Sequence, residues 1–217
     1  GHLECAQMEM AEDSLAAPHL KRLGQTLDRA GELTRHLLAY AGRGEMATEA
    51  IDLNDTVREL VNLLRVSLPP RVRLRFEPSS GFALVEADGS HVQRVVMNLV
   101  TNGAEAIGDQ GGELVLRSFV LDLDEEDLER LFPAQNLRPG AHVLLEVSDT
   151  GCGMSPEIQS RIFDPFFTTK KEGRGLGLSA AIGILQASGG ALRVTSEPGR
   201  GTTFHLVFPA LQVTKTP

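Results

Sequence analysis

Cysteine is scarce in this chain: of 217 residues only Cys5 and Cys152 are cysteines, far apart and in unrelated contexts. That rules against a disulfide framework and a cysteine-based zinc site, and it fits a reducing compartment. Clustered basic charge is missing as well. No run of Lys and Arg exceeds two residues, as at Lys170-Lys171, and the formal net charge is -8. A nucleic acid or a direct contact with an anionic membrane is therefore disfavoured, because affinity for phosphate backbones rests on clustered cations. There is no apolar run long enough to span a bilayer and no signal-peptide pattern at the start. The sequence opens instead on what reads as the middle of a helix, so it is expected to be an excerpt of a longer cytoplasmic protein, whose own membrane anchoring is left open. A Gly-Lys-Ser/Thr phosphate loop is absent, and so is a Gly-x-Gly-x-x-Gly placed after a strand in a βαβ unit. What remains is ordinary globular material, 41% hydrophobic and 23% charged, enough for one substantial core.

Leu20, Leu23, Leu27, Ala30, Thr34, Leu37 and Ala41 are spaced alternately by three and four, which draws a narrow stripe down one helix at heptad period. Leu3 to Met10 is also helix-compatible, with a break at Ser14 to Pro18. Residues 1–46 are thus expected to form a partial helical hairpin, and 47–217 a second domain. In the latter, helices are expected at Leu53 to Val66, Ser90 to Ile107, Ser155 to Phe163 and Leu176 to Ala187. Strands are expected at Val72 to Phe76, Phe82 to Val85, Glu113 to Leu121, Val143 to Ser148, Leu192 to Ser196 and Thr203 to Phe208. Interleaving without regular βαβ alternation indicates an α+β fold, a two-layer α/β sandwich preceded by the hairpin. Between two of the strands, Asp122 to Gly140 carries Asp122, Asp124, Glu125, Glu126, Asp127 and Glu129 but lacks the glycine and closing glutamate of a calcium loop. It reads as a solvated excursion.

Four patches carry chemistry. Asn98 and Asn102 lie at i and i+4 along the edge of an apolar helix face, and an amide oxygen there suits Mg²⁺, which takes oxygen ligands and is completed by substrate phosphates. Asp149 ends an apolar strand and enters Thr150-Gly151-Cys152-Gly153, where a carboxylate can accept from the exocyclic amine of a base. Gly173-Arg174-Gly175-Leu176-Gly177 runs into a helix and offers free backbone N–H groups to an anion. Gly199-Arg200-Gly201-Thr202-Thr203 joins the last two strands. Each patch alone has a structural explanation: surface amides, a tight turn, a glycine-rich connector. Taken in order they point to a nucleotide. Just before the third patch, Phe163-Asp164-Pro165-Phe166-Phe167-Thr168-Thr169-Lys170 joins aromatics to a lysine, a composition that suits either a hinged flap over a polyphosphate or a hydrophobic anchor that pins a loop.

These residues resemble the ATP-binding domain of sensor histidine kinases, within the GHKL superfamily, whose fold is the Bergerat ATP-binding fold. Asn98 to Ala106 is similar to the N box, Asp149 to Met154 to the first glycine box, Phe163 to Lys170 to the F box of a short lid, Gly173 to Ser179 to the second glycine box, and Gly199 to Phe204 to the last. The resemblance covers about residues 50 to 210 and implies ATP and Mg²⁺ as ligands. It places Mg²⁺ on Asn102, phosphates beside Asn98 and from Gly175 through Leu176 and Gly177 to Leu178, and the adenine amine on Asp149. Gly151 and Gly153 would leave room for the ring, Thr203 would close the adenine side, Thr169 and Lys170 would belong to the lid, and Glu105 would join the nucleotide-binding set. Gly103 departs from the usual Ala and is expected only to loosen the helix.

The same resemblance implies transfer of the γ-phosphoryl group to a histidine, then relay to the aspartate of a response-regulator receiver domain, by a homodimer formed through the hairpin. Hydrolysing relatives carry Glu where this chain has Asn98, and an amide cannot take a proton from water. A GHKL-type ATPase clamp and a non-catalytic dimerisation scaffold are the alternatives. His2 is the candidate phosphoacceptor within this sequence; it is followed by Leu3 rather than an acidic residue and lies close to the hairpin break, so the acceptor is expected upstream.

Overall fold

The computed structural model describes Ser14, residues 47–170, Gly173 and residues 175–211. Apart from Ser14, the expected hairpin, with its stripe and His2, lies outside the described residues.

A short strand, β1 (Glu49–Asp52), leads into helix α1 (Leu53–Ser67). Asp52 caps the helix by accepting from the Asn54 N–H, satisfying one of the free donors of the first turn. Leu53, Val57, Leu60, Val61 and Leu64 repeat at helical spacing and are all buried. The helix stops at Leu68, which takes an extended conformation because Pro69 follows it. Strand β2 (Val72–Glu77) then alternates, Val72 and Leu74 in, Arg73 and Arg75 out. Strand β3 (Leu84–Ala87) pairs antiparallel with β1.

Helix α2 (Gly89–Ile107) is capped by Asp88, whose carboxylate accepts from the Ser90 and His91 N–H groups. Its buried face runs through Val92, Val95, Val96, Leu99, Val100 and Ala104, so the helix lies across the core. Two long strands follow, β4 (Gly112–Leu123) and β5 (Gly140–Asp149), separated by helix α3 (Glu125–Leu131). After the single turn α4 (Pro156–Gln159) come helix α5 (Gly177–Ala187) and the hairpin of β6 (Ala191–Glu197) with β7 (Gly201–Pro209).

The main sheet has the order β2-β4-β5-β7-β6, with β2 and β4 parallel and every other neighbour antiparallel. Apolar residues of α1, α2 and α5 share one core with the inward residues Leu114, Leu116, Val143, Leu145, Val147, Phe204, Leu206 and Phe208. This is the expected α+β two-layer sandwich with a mixed sheet. Among the described residues no helix is long and apolar enough to cross a membrane.

The expected solvated excursion at 122–140 is a correction. It folds back on the opposite face of the sheet, where Leu123, Leu128 and Phe132 are buried with Ala191 and Val207 in a second small core, flanked by Leu121, Leu131, Leu137 and Leu144. Gln135 pins it to the sheet edge: its amide donates to Leu192 O at 3.1 Å and its oxygen accepts from Leu192 N at 3.2 Å. The acidic residues cap and start α3, with Asp124 accepting from Asp127 N–H, and negative charge there suits the positive helix end. No cluster of His, Cys, Asp or Glu able to hold a metal occurs among the described residues.

Candidate functional site

Where α2 meets the ends of β5 and β7, the chain leaves a cleft of about 600 Å³, closed by the residues before and at the start of α5. Asn98, Asn102 and Glu105 enter it from α2, at the helical spacing that puts them on one side of the helix. Asp149 enters from the last position of β5. Thr168, Thr169 and Lys170 come from the lid, and Gly175, Leu176, Gly177 and Leu178 from the start of α5. Met154, Ile158, Ile162, Phe167 and Phe204 supply an apolar lining, the surface a flat ring needs.

Asp149 is a half-buried carboxylate at the floor of the cleft. Burial pushes it above its ordinary value of 3.8, although the N–H groups of Gly151 and Thr202 favour the charged form. Its Oδ1 accepts from Gly151 N at 2.8 Å. A half-dry carboxylate of this kind seeks a further donor.

At the amide pair, Asn102 Nδ2 lies 3.5 Å from Asn98 Oδ1, and Asn98 Nδ2 is buried without a partner. Asn102 Oδ1 accepts from Lys170 Nζ at 2.6 Å, and Lys170 is also ion-paired with Glu105. Two oxygens from α2 therefore converge on one cation. Oxygen donors around a positive charge are what Mg²⁺ uses, so the residues present fit such an ion.

Two expected residues do not line the cleft. Gly151 is buried against α2, and a Cβ there would stand 2.7 Å from Ala106 Cβ; its lack of a side chain admits the helix rather than a ring. Cys152 N–H, donating to Ala106 O at 3.1 Å, ties the same turn to α2. Thr203 points to the other face of the sheet, its Oγ1 2.9 Å from Ser148 Oγ, and Thr202 lines the cleft instead. The signal was present: Phe204, Leu206 and Phe208 mark the inward parity of β7, and Thr202 shares it. The apolar lining residues Met154, Ile158 and Ile162 were not expected either; they sit in α4 and the turns around it.

Gly103 does more than loosen a helix. A Cβ at that position would lie 2.6 Å from Leu114 Cδ2 and 3.1 Å from Asp149 Cβ, so its absence lets α2 run close under Asp149. At Gly177 a Cβ would stand 2.6 Å from Asn98 Nδ2, which holds the start of α5 directly against the amide pair. The lid leans on Phe167, whose ring lies 4.4 Å beneath the Arg161 guanidinium.

Residues 87–212 match the family described as histidine kinase-, DNA gyrase B-, and HSP90-like ATPase. Sensor kinase CckA of Brucella abortus (strain 2308) is 34% identical over 196 residues, covering 89% of this chain and 20% of that protein. The nucleotide-free catalytic domain of histidine kinase ThkA is 28% identical with a TM-score of 0.59, covering 76% of this chain and 96% of that one. Histidine kinase ThkA in complex with response regulator protein TrrA shares the fold, with a TM-score of 0.62 at 22% identity over 97% of this chain and 56% of that one. The chain spans between a fifth and about two fifths of the length of the curated relatives it matches. With more than half of its residues inside the matched region, the chain belongs to the histidine kinase-, DNA gyrase B-, and HSP90-like ATPase family.

Proposed function

We propose that the cleft binds Mg·ATP and that this chain is the catalytic core of a two-component sensor histidine kinase. The observation that carries the reading is one cleft holding a half-buried carboxylate, Asp149, beside an apolar lining, together with two oxygens on α2 that converge on a cation. Asp149 accepts from the adenine amine, while Met154, Ile158, Ile162 and Phe204 hold the ring. Asn102 holds Mg²⁺, which supplies charge neutralisation to the phosphates when bound. The unpartnered Asn98 Nδ2 and the first N–H groups of α5 are donors suited to phosphate oxygens. The work of these groups is positioning and charge stabilisation, as in phosphoryl transfer generally.

Asn98 separates transfer from hydrolysis, because its amide cannot serve as the base that deprotonates water. The γ-phosphoryl group goes instead to a histidine: the nitrogen–phosphorus bond forms as the bond to the ADP oxygen breaks. A response-regulator aspartate is the next acceptor, the homodimer forms through residues 1–46, and the chain works in the cytoplasm. The kinase names of its relatives support this reading.

Calorimetry with Mg·ADP tests the site, with binding expected for the wild type and loss on Asn102→Ala. With a histidine-bearing phosphotransfer domain supplied, acid-labile phosphate from γ-labelled ATP is expected on it. Steady phosphate release by the present chain, abolished by Asn98→Ala, would replace the kinase reading with a hydrolytic one. Absence of Mg·ADP binding would favour the scaffold.

A further inference from the structure

The lysine of the lid sits on the amide that the nucleotide reading assigns to the metal. Lys170 Nζ donates to Asn102 Oδ1 at 2.6 Å and is ion-paired with Glu105, three residues further along α2. Helical spacing of three puts both acceptors on one side of the helix, facing the lid. An ammonium group and a divalent cation seek the same thing at such a place, oxygen lone pairs. Both oxygens converge on Nζ, so a metal held by the same two would need the point that Nζ occupies, and a metal on the other lone pair of Asn102 Oδ1 would still face the ammonium at about 4 Å and repel it. Lys170 and Glu105 are both about half exposed, so water screens their attraction and the pair is exchangeable.

We propose that Lys170 and the nucleotide-bound divalent cation take the same position on Asn102 and Glu105 and exclude one another from it. The lid lysine is the cation seated on these two oxygens, and the arriving metal releases it from α2. This deepens the nucleotide reading and rests on it. It carries a consequence that an ordinary phosphate-contacting lysine lacks. Without metal, Lys170 remains the counter-charge at Asn102 and a nucleotide depends on it. With metal bound, that position is already positive and Lys170 matters less.

The test is calorimetry of ADP binding to the wild-type chain and to Lys170→Met, each in excess Mg²⁺ and in EDTA. Lys170 is exposed on the lid, so the substitution leaves folding untouched. The expected result is that Lys170→Met weakens metal-free binding by at least about tenfold while changing Mg²⁺-supported binding by less than about threefold, tenfold being 1.4 kcal/mol. Equal weakening under both conditions, or no weakening under either, overturns the shared position and leaves the nucleotide reading intact. A wild-type chain that binds ADP under neither condition refutes the nucleotide reading, and the shared position with it.

Discussion

Replacing Asp149 with Asn removes one negative charge from the cleft while keeping the shape of the side chain. The carboxylate accepts from Gly151 N at 2.8 Å and is half-buried, so its remaining acceptor capacity faces a partly dry site. A hydrogen bond to a charged group contributes about 1.5–3 kcal/mol. Losing it should raise the Kd for Mg·ADP by roughly 10- to 150-fold. Inosine diphosphate is the control, because it carries a carbonyl where adenine carries the amine. The wild type should prefer ADP over it, and Asp149→Asn should lose far less affinity for it than for ADP. Equal losses for the two nucleotides, or an ADP affinity within about threefold of wild type, would refute the assignment of Asp149 to the amine. Lowering the pH should weaken ADP binding as the carboxyl takes up its proton, and the Asn variant should be flat over that range. Stability has its own pH signature. Burial raises the native pKa above 3.8, so between that value and the raised one the native state holds more protons than the unfolded chain, and stability falls as pH rises across this window. Asp149→Asn should lack this slope in thermal melts.

Gly177→Ala places a methyl 2.6 Å from Asn98 Nδ2 and should cost about 1–3 kcal/mol in denaturant melts, with part recovered in the Asn98→Ala/Gly177→Ala double variant; no recovery would mean that the contact is not the cause. Gln135→Ala removes both hydrogen bonds to Leu192 and should destabilise by about 1–3 kcal/mol, with the Leu192 amide exchanging faster with solvent. His205, on the outer face of β7, has its pKa held below 6.5 by burial and by Arg193, against the pull of Glu146, whose Oε1 lies 3.4 Å away. The unfolded chain therefore binds a proton more readily, and stability that is full above pH 6.5 is lost as pH falls toward the lowered value. His205→Gln should lose less melting temperature than wild type between pH 7.5 and 5.5, an equal loss counting against this account.

Much of the fold was legible because its signals are local. The spacing of Val92, Val95, Val96, Leu99 and Val100, behind the Asp88 cap, specifies α2 from sterics and water exclusion within one segment. The ordered motifs from Asn98 to Phe204 marked the family for the same reason, since each glycine or amide answers a requirement within a few residues of itself. Strand β1 was missed because four residues in a two-stranded pairing carry too short a pattern to stand out.

By itself, then, the sequence determined the layered α+β architecture, the cleft-forming segments and the family. Only the tertiary structure decided that Thr202 rather than Thr203 lines the cleft, that Gly151 and Gly103 make room for a helix and a carboxylate, and that the acidic stretch before Gly140 builds a second core. It also decided that Lys170 rests on Asn102, 68 residues away, beside Glu105. The reason is physical: periodicity and capping act along a segment, whereas these contacts depend on how distant segments register when they pack, which no single segment encodes.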